Sequence, residues 1–78
     1  MTHRRIKELA SVIENLEREC QRLESLRDEE QQEYELLSAD PSDYTYQLAD
    51  NIDNLDEAYD DLCSLIDDLS NILDENLA

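Results

Sequence analysis

The chain has 78 residues, with six Lys or Arg against 22 Asp or Glu, a formal net charge of −16, no Gly, one Pro and neither Phe nor Trp. That length holds one small domain, and the composition points to helices rather than sheet. The charge disfavours direct contact with nucleic acid or anionic membrane and favours basic protein surfaces. All six basic residues (Arg4, Arg5, Lys7, Arg18, Arg22, Arg27) lie before position 28, and the remainder carries seventeen acids with no Lys or Arg.

The first predicted element begins at Thr2, which can act as an N-cap. From Ile6 a heptad runs through the a/d pairs Ile6/Leu9, Ile13/Leu16 and Cys20/Leu23, resuming at Tyr34/Leu37. Such spacing lays one apolar seam along a helix. Arg27 and Glu30 interrupt the seam, and Leu26 is expected to rotate in to replace Arg27. The pattern predicts a helix over about residues 3–38, weakened near 27–33.

The break falls at Ser38-Ala39-Asp40-Pro41-Ser42-Asp43. Asp40 suits an N-cap, Pro41 suits the first helical position, and Asp43 places a carboxylate at the positive end of the next helix. The turn is expected at about 39–41 and the second helix at about 41–76.

The last third is the most regular stretch. Written in sevens it reads IDNLDEA-YDDLCSL-IDDLSNI-LDENLA. Ile52, Tyr59, Ile66 and Leu73 hold a; Leu55, Leu62 and Leu69 hold d; Asp53, Asp60, Asp67 and Asp74 hold every b position. A buried seam and a line of carboxylates thus share one helix.

A short connection requires the helices to fold back antiparallel. If residue i faces residue 82 − i, Cys20 meets Leu62, Leu16 meets Ile66, Ile13 meets Leu69 and Leu9 meets Leu73. Arg27 against Leu55 and Glu30 against Ile52 break the apolar matching. The fold class is therefore all-α: two long antiparallel helices forming a coiled-coil-like helical hairpin, a single domain over residues 1–78. One seam between two helices rarely offsets an ordering cost of about 1.5 kcal/mol per residue. Val12 and Leu26 on the first helix, with Ala58, Leu65 and Ile72 on the second, sit at g and widen each stripe beyond its neighbour's reach. This association edge predicts burial by a second copy, giving a four-helix-bundle homodimer, or by another protein. The layout resembles ROP-type hairpin dimers in architecture alone, with no shared residue motif.

Catalysis has little to stand on, and the chain is expected not to be an enzyme. The one histidine, His3, is near the terminus, no Ser/His/Asp or Cys/His set assembles, and no glycine can cradle phosphate. Asp50, Asp53, Asp56 and Asp60 recur at helical spacing but lack the Gly and the ligand order of a calcium loop. A di-iron bundle would need Glu-x-x-His on facing helices. No specific metal and no cofactor is expected. Cys20 and Cys63 come close in the hairpin register, as two buried thiols or as an interhelical disulfide. His3, Arg4, Arg5 and Lys7 are expected to complement Asp74 and Glu75 at the negative end of the second helix. Tyr34 and Tyr59 read as core; Tyr44 and Tyr46 flank the turn, with at least one exposed.

The remaining feature is the acidity. A rigid acidic rod can compete with nucleic acid for a basic groove. The reading is a nucleic-acid-mimic inhibitor of a DNA- or RNA-handling protein, of the phage or plasmid anti-restriction or anti-CRISPR kind. Its partner surface comprises Asp28, Glu29, Glu33, Asp50, Asp53, Asp56, Glu57, Asp60, Asp61, Asp67 and Asp68. Counter-charges from the first helix are expected toward the open end, which concentrates the working surface around Asp28–Glu35 and Asp40–Asp61. The alternative is an adaptor or chaperone-like hairpin that holds a partner helix along its apolar edge, its acidity serving solubility or high salt. The absence of a signal-peptide pattern or long apolar run suggests the cytoplasm, that of the host if the chain is phage-encoded.

Overall fold

A computed structural model of the chain describes residues 1–40 and 42–77. It contains two α-helices, α1 (His3–Leu37) and α2 (Asp43–Leu77), and no strand among the described residues. Each helix has 35 residues, or about 52 Å at ~1.5 Å per residue. The molecule accordingly measures 57 × 15 × 14 Å.

α1 starts as its sequence dictates. Thr2 stands in extended conformation, and its Oγ1 accepts the Arg5 N–H at 3.3 Å. The helix then runs unbroken through the expected weak stretch to Leu37. α2 begins differently from expectation. Ser42, not Asp40, caps it: the Thr45 N–H donates to Ser42 Oγ at 3.4 Å, and the Ser42 N–H donates to Thr45 Oγ1 at 2.7 Å. This reciprocal exchange is a capping box in which Thr45 replaces the usual Glu or Gln. Thr45 is buried, and its hydroxyl also donates to the Ser42 carbonyl. The helix therefore opens at Asp43, two residues later than expected. The role expected of Pro41 lies outside the described residues.

The two seams face each other antiparallel. The pairs Cys20–Cys63, Arg27–Asp56 and Glu30–Asn51 each fall within one residue of the expected register. Toward the open end, Ile13, Cys20 and Ile66 form a buried cluster flanked by Leu9, Leu16, Tyr59, Leu62, Leu69 and Leu73. Toward the turn, Leu48 and Ile52 are buried. Burial of such side chains contributes about 1.5–3 kcal/mol each, so the seam supplies most of the hairpin's cohesion.

The interrupted layers are repaired by polar contacts. Arg27 is half-buried, and its Nε donates to Asp56 Oδ1 across the hairpin at 2.9 Å. Asn51 Nδ2 donates to Glu30 Oε2 at 3.1 Å. Leu26 does not rotate in to replace Arg27. The arginine stem covers apolar surface while its head reaches a carboxylate, which leaves Leu26 half exposed.

Candidate functional site

Along an antiparallel pair of heptad helices, the g positions of both lie on one side and the e positions on the other. The structure follows this rule. On the g side, Leu26 lines a shallow groove with Asn51 and Leu55. Val12 (46 % exposed), Leu26 (50 %), Leu65 (47 %) and Ile72 (41 %) are the large apolar residues of that edge, and Ala58 is also exposed. The e side holds a groove lined by Glu17, Glu24, Tyr59, Cys63 and Asp67. Its acidic rim continues past Arg27 through Asp28 and Asp56. Glu17 and Glu24 are part of this acidic side although they were absent from the expected partner surface; their e positions are the signal that places them there.

The charge pattern is governed by how the six cations are used. Arg4 pairs with Glu8, Arg18 with Glu14 and Arg22 with Glu19, each three or four residues away on α1. Arg27 contacts its neighbour Asp28 at 3.4 Å and Asp56 at 2.9 Å. Asp56 holds the Arg27 guanidinium firmly protonated, with its pKa raised first by that hydrogen bond and then by the carboxylate's charge. Among the described residues, Asp56 is the only acid of α2 in an ion pair. No ion pair or hydrogen bond joins His3, Arg4, Arg5 or Lys7 to Asp74 or Glu75; instead the Met1 ammonium donates to Asn76 Oδ1 at 2.9 Å. The expected complementation at the open end is replaced by pairing within α1.

The expected partner residues therefore divide. Glu29, Asp50, Asp53, Glu57, Asp60, Asp61, Asp67 and Asp68 are exposed and without ion pairs. Asp28 and Asp56 are engaged by Arg27. Glu33 is half-buried and accepts the Tyr44 hydroxyl at 2.6 Å. That bond, followed by desolvation and the charges of Glu33 and Glu30, pushes the Tyr44 pKa up. Tyr44 and Tyr46 are both exposed at the turn, whereas Tyr34 and Tyr59 are half-buried in the seam. The uncompensated acids do not concentrate toward the turn: Asp67 and Asp68 share the condition of Asp53 and Asp60.

No group of three or more His, Cys, Asp or Glu among the described residues is arranged to hold a metal ion. No helix among the described residues is long and apolar enough to cross a membrane. Comparisons with protein-family models, curated proteins and solved structures gave no match.

Proposed function

We propose that this chain is a small acidic interaction module that works without catalysing a reaction, as a nucleic-acid mimic occupying a basic groove of a DNA- or RNA-handling protein. The observation that carries this reading is the charge state of α2. It presents eleven acids and no Lys or Arg over 35 residues, and Arg4, Arg18 and Arg22 of α1 pair with α1's own glutamates. A stiff row of negative charge about 52 Å long offers a basic groove the electrostatic attraction that a phosphate backbone offers.

The apolar edge has a separate task in this proposal, joining two copies into a four-helix bundle. A compact monomer of 9.1 kDa exposes about 4,900 Å², whereas this chain exposes 5867 Å². Its radius of gyration is 17.5 Å, against roughly 11.5 Å for a compact domain of this length. The excess surface of about 1,000 Å² is comparable to the ~800 Å² that each partner buries in a stable interface. The edge with Val12, Leu26, Leu65 and Ile72, each more than 40 % exposed, is the surface proposed to supply it. If light scattering finds a folded monomer, the dimer is refuted and the edge is left for a heterologous helix, as in the adaptor reading.

The functional test is capture from cell extract on the immobilised protein, eluted with duplex DNA at constant salt. The mimic predicts that DNA releases the captured protein and that added salt weakens its retention. Retention indifferent to both DNA and salt would overturn the proposal.

A further inference from the structure

We propose that Cys20 and Cys63 are an oxidisable dithiol that closes into an interhelical disulfide, clamping the hairpin near its mid-length. These are the only cysteines of the chain, and the fold brings them together from 43 positions apart, with their sulfurs 3.6 Å from each other and both thiols free. A disulfide needs ~2.05 Å between sulfurs, so closure requires about 1.5 Å of approach, within reach of side-chain rotation. The proposal stands independently of the acidic-mimic reading.

The two thiols differ in access. Both line the groove with Glu17, Glu24, Tyr59 and Asp67, but Cys20 is buried whereas Cys63 is half-buried. This difference sets the order of events with a small-molecule disulfide as oxidant. The Cys63 thiolate, having lost its proton to solvent, attacks one sulfur of the oxidant and expels the other half as a thiolate. Cys20, deprotonated in turn, then attacks Cys63 Sγ and expels the second half. Overall the protein loses two hydrogen atoms, one disulfide forms, and one molecule of oxidant is reduced to two thiols.

The surroundings make the pair slow to react and selective. Burial, then Cys63, Glu24 and Glu17, push the Cys20 thiol up, which keeps the resolving thiolate scarce near neutral pH. Cys63, ahead of Glu24, is the leading cause of a raised Tyr59 pKa. An acidic groove on a chain of net charge −16 repels an anionic oxidant and attracts a cationic one. The clamp also lies on the e side, away from the apolar edge, so closing it does not obstruct association along that edge.

The test uses the full-length reduced protein with two oxidants, cationic cystamine and anionic glutathione disulfide. Products are read by intact mass after acid quench, in native buffer and in concentrated urea. The proposal predicts loss of two hydrogens as the main native product, with closed disulfide relative to mixed disulfide at least about tenfold higher in native buffer than in urea, because the fold raises the effective concentration of one thiol at the other. Cystamine reacts faster than glutathione disulfide in native buffer at low salt, and salt narrows the gap. The oxidised protein melts several degrees higher, and a reductant reverses the shift. Cys20→Ser arrests at a mixed disulfide on Cys63. Thiols that stay free in native buffer, accumulation of mixed disulfides or covalent dimers in the wild-type chain, or closure no better than in urea would each overturn the proposal.

Discussion

The two helices have the same length and contribute to the same seam, yet they handle charge in opposite ways. α1 carries every cation of the chain and pairs Arg4, Arg18 and Arg22 with its own glutamates. α2 carries none, and its single ionic contact is Arg27 with Asp56. The difference separates two requirements that a hairpin places on its sequence. Pairing the helices needs only a matched apolar stripe, which both possess. The outer surface is then free to differ, and in α2 it is left negative along its length. Exposed ion pairs of the α1 kind contribute about 0.5 kcal/mol or less each. Stability therefore gives little reason to omit them from α2.

The seam is where the helices are alike, so damage there has the largest effect on folding. Ile66→Ala removes a residue of the buried cluster and is expected to cost roughly 3 kcal/mol, a large share of the stability of so small a domain. Urea unfolding should show an equal order of loss for Ile13→Ala on the other helix. A small effect at both sites would mean that the cluster is not the core.

The next effect separates the apolar edge from the seam. Leu65→Asp leaves the seam intact but places a carboxylate on the association edge. Burying the exposed half of each Leu65 is worth about 1 kcal/mol, so two copies give roughly 2 kcal/mol, or about a thirtyfold weaker dimer by sedimentation equilibrium. Unchanged dimerisation would move the interface elsewhere.

Added salt probes the charge difference directly. Screening relieves repulsion among the unpaired acids of α2 more than it weakens the short-range pairs of α1. The thermal midpoint is therefore expected to rise by several degrees between low and physiological salt. A midpoint that falls with salt would show that attraction, not repulsion, dominates the surface.

The smallest effect belongs to the turn. The raised pKa of Tyr44 means that the folded state favours its neutral form. The sign follows: this stabilisation is fully present below the ordinary tyrosine value of ~10 and is lost as pH rises through the elevated folded value. Tyr44→Phe should lower stability slightly at neutral pH, and its difference from the parent chain should shrink in alkali. Phenolate absorbance should show one more late-titrating tyrosine in the parent than in the variant, which keeps the raised Tyr59.

The seam and the hairpin register were legible in the sequence because a heptad leaves little choice once both helices carry one. Ile13, Cys20 and Ile66 are core for that reason. The start of α2 was less legible. Asp40 and Ser42 are both good caps, and the choice fell to Ser42 through its reciprocal exchange with Thr45, a pairing that hydroxyl residues do not advertise. Leu26 was expected to turn into the seam because an arginine at a core position looks like a defect. Its long stem and the carboxylate of Asp56 make it a tolerated layer. The charge surface was misjudged at the open end for a related reason. A helix already holds residues three and four apart within reach of each other, so Arg4, Arg18 and Arg22 found partners on α1. Proximity across the hairpin could not compete, and the acids of α2 stayed unpaired from Asp50 to Asp68, except for Asp56.

The most direct test of that surface compares two altered proteins for retention of the partner captured by the parent chain. One carries Asp53→Lys, Asp60→Lys and Asp67→Lys on α2, and the other carries Leu65→Asp on the apolar edge. If the acidic surface is the binding element, the triple variant loses the partner while keeping its helical circular dichroism and its mass in solution, and Leu65→Asp retains much more of it. Full retention by the triple variant together with loss in Leu65→Asp would contradict the account and assign the binding to the apolar edge.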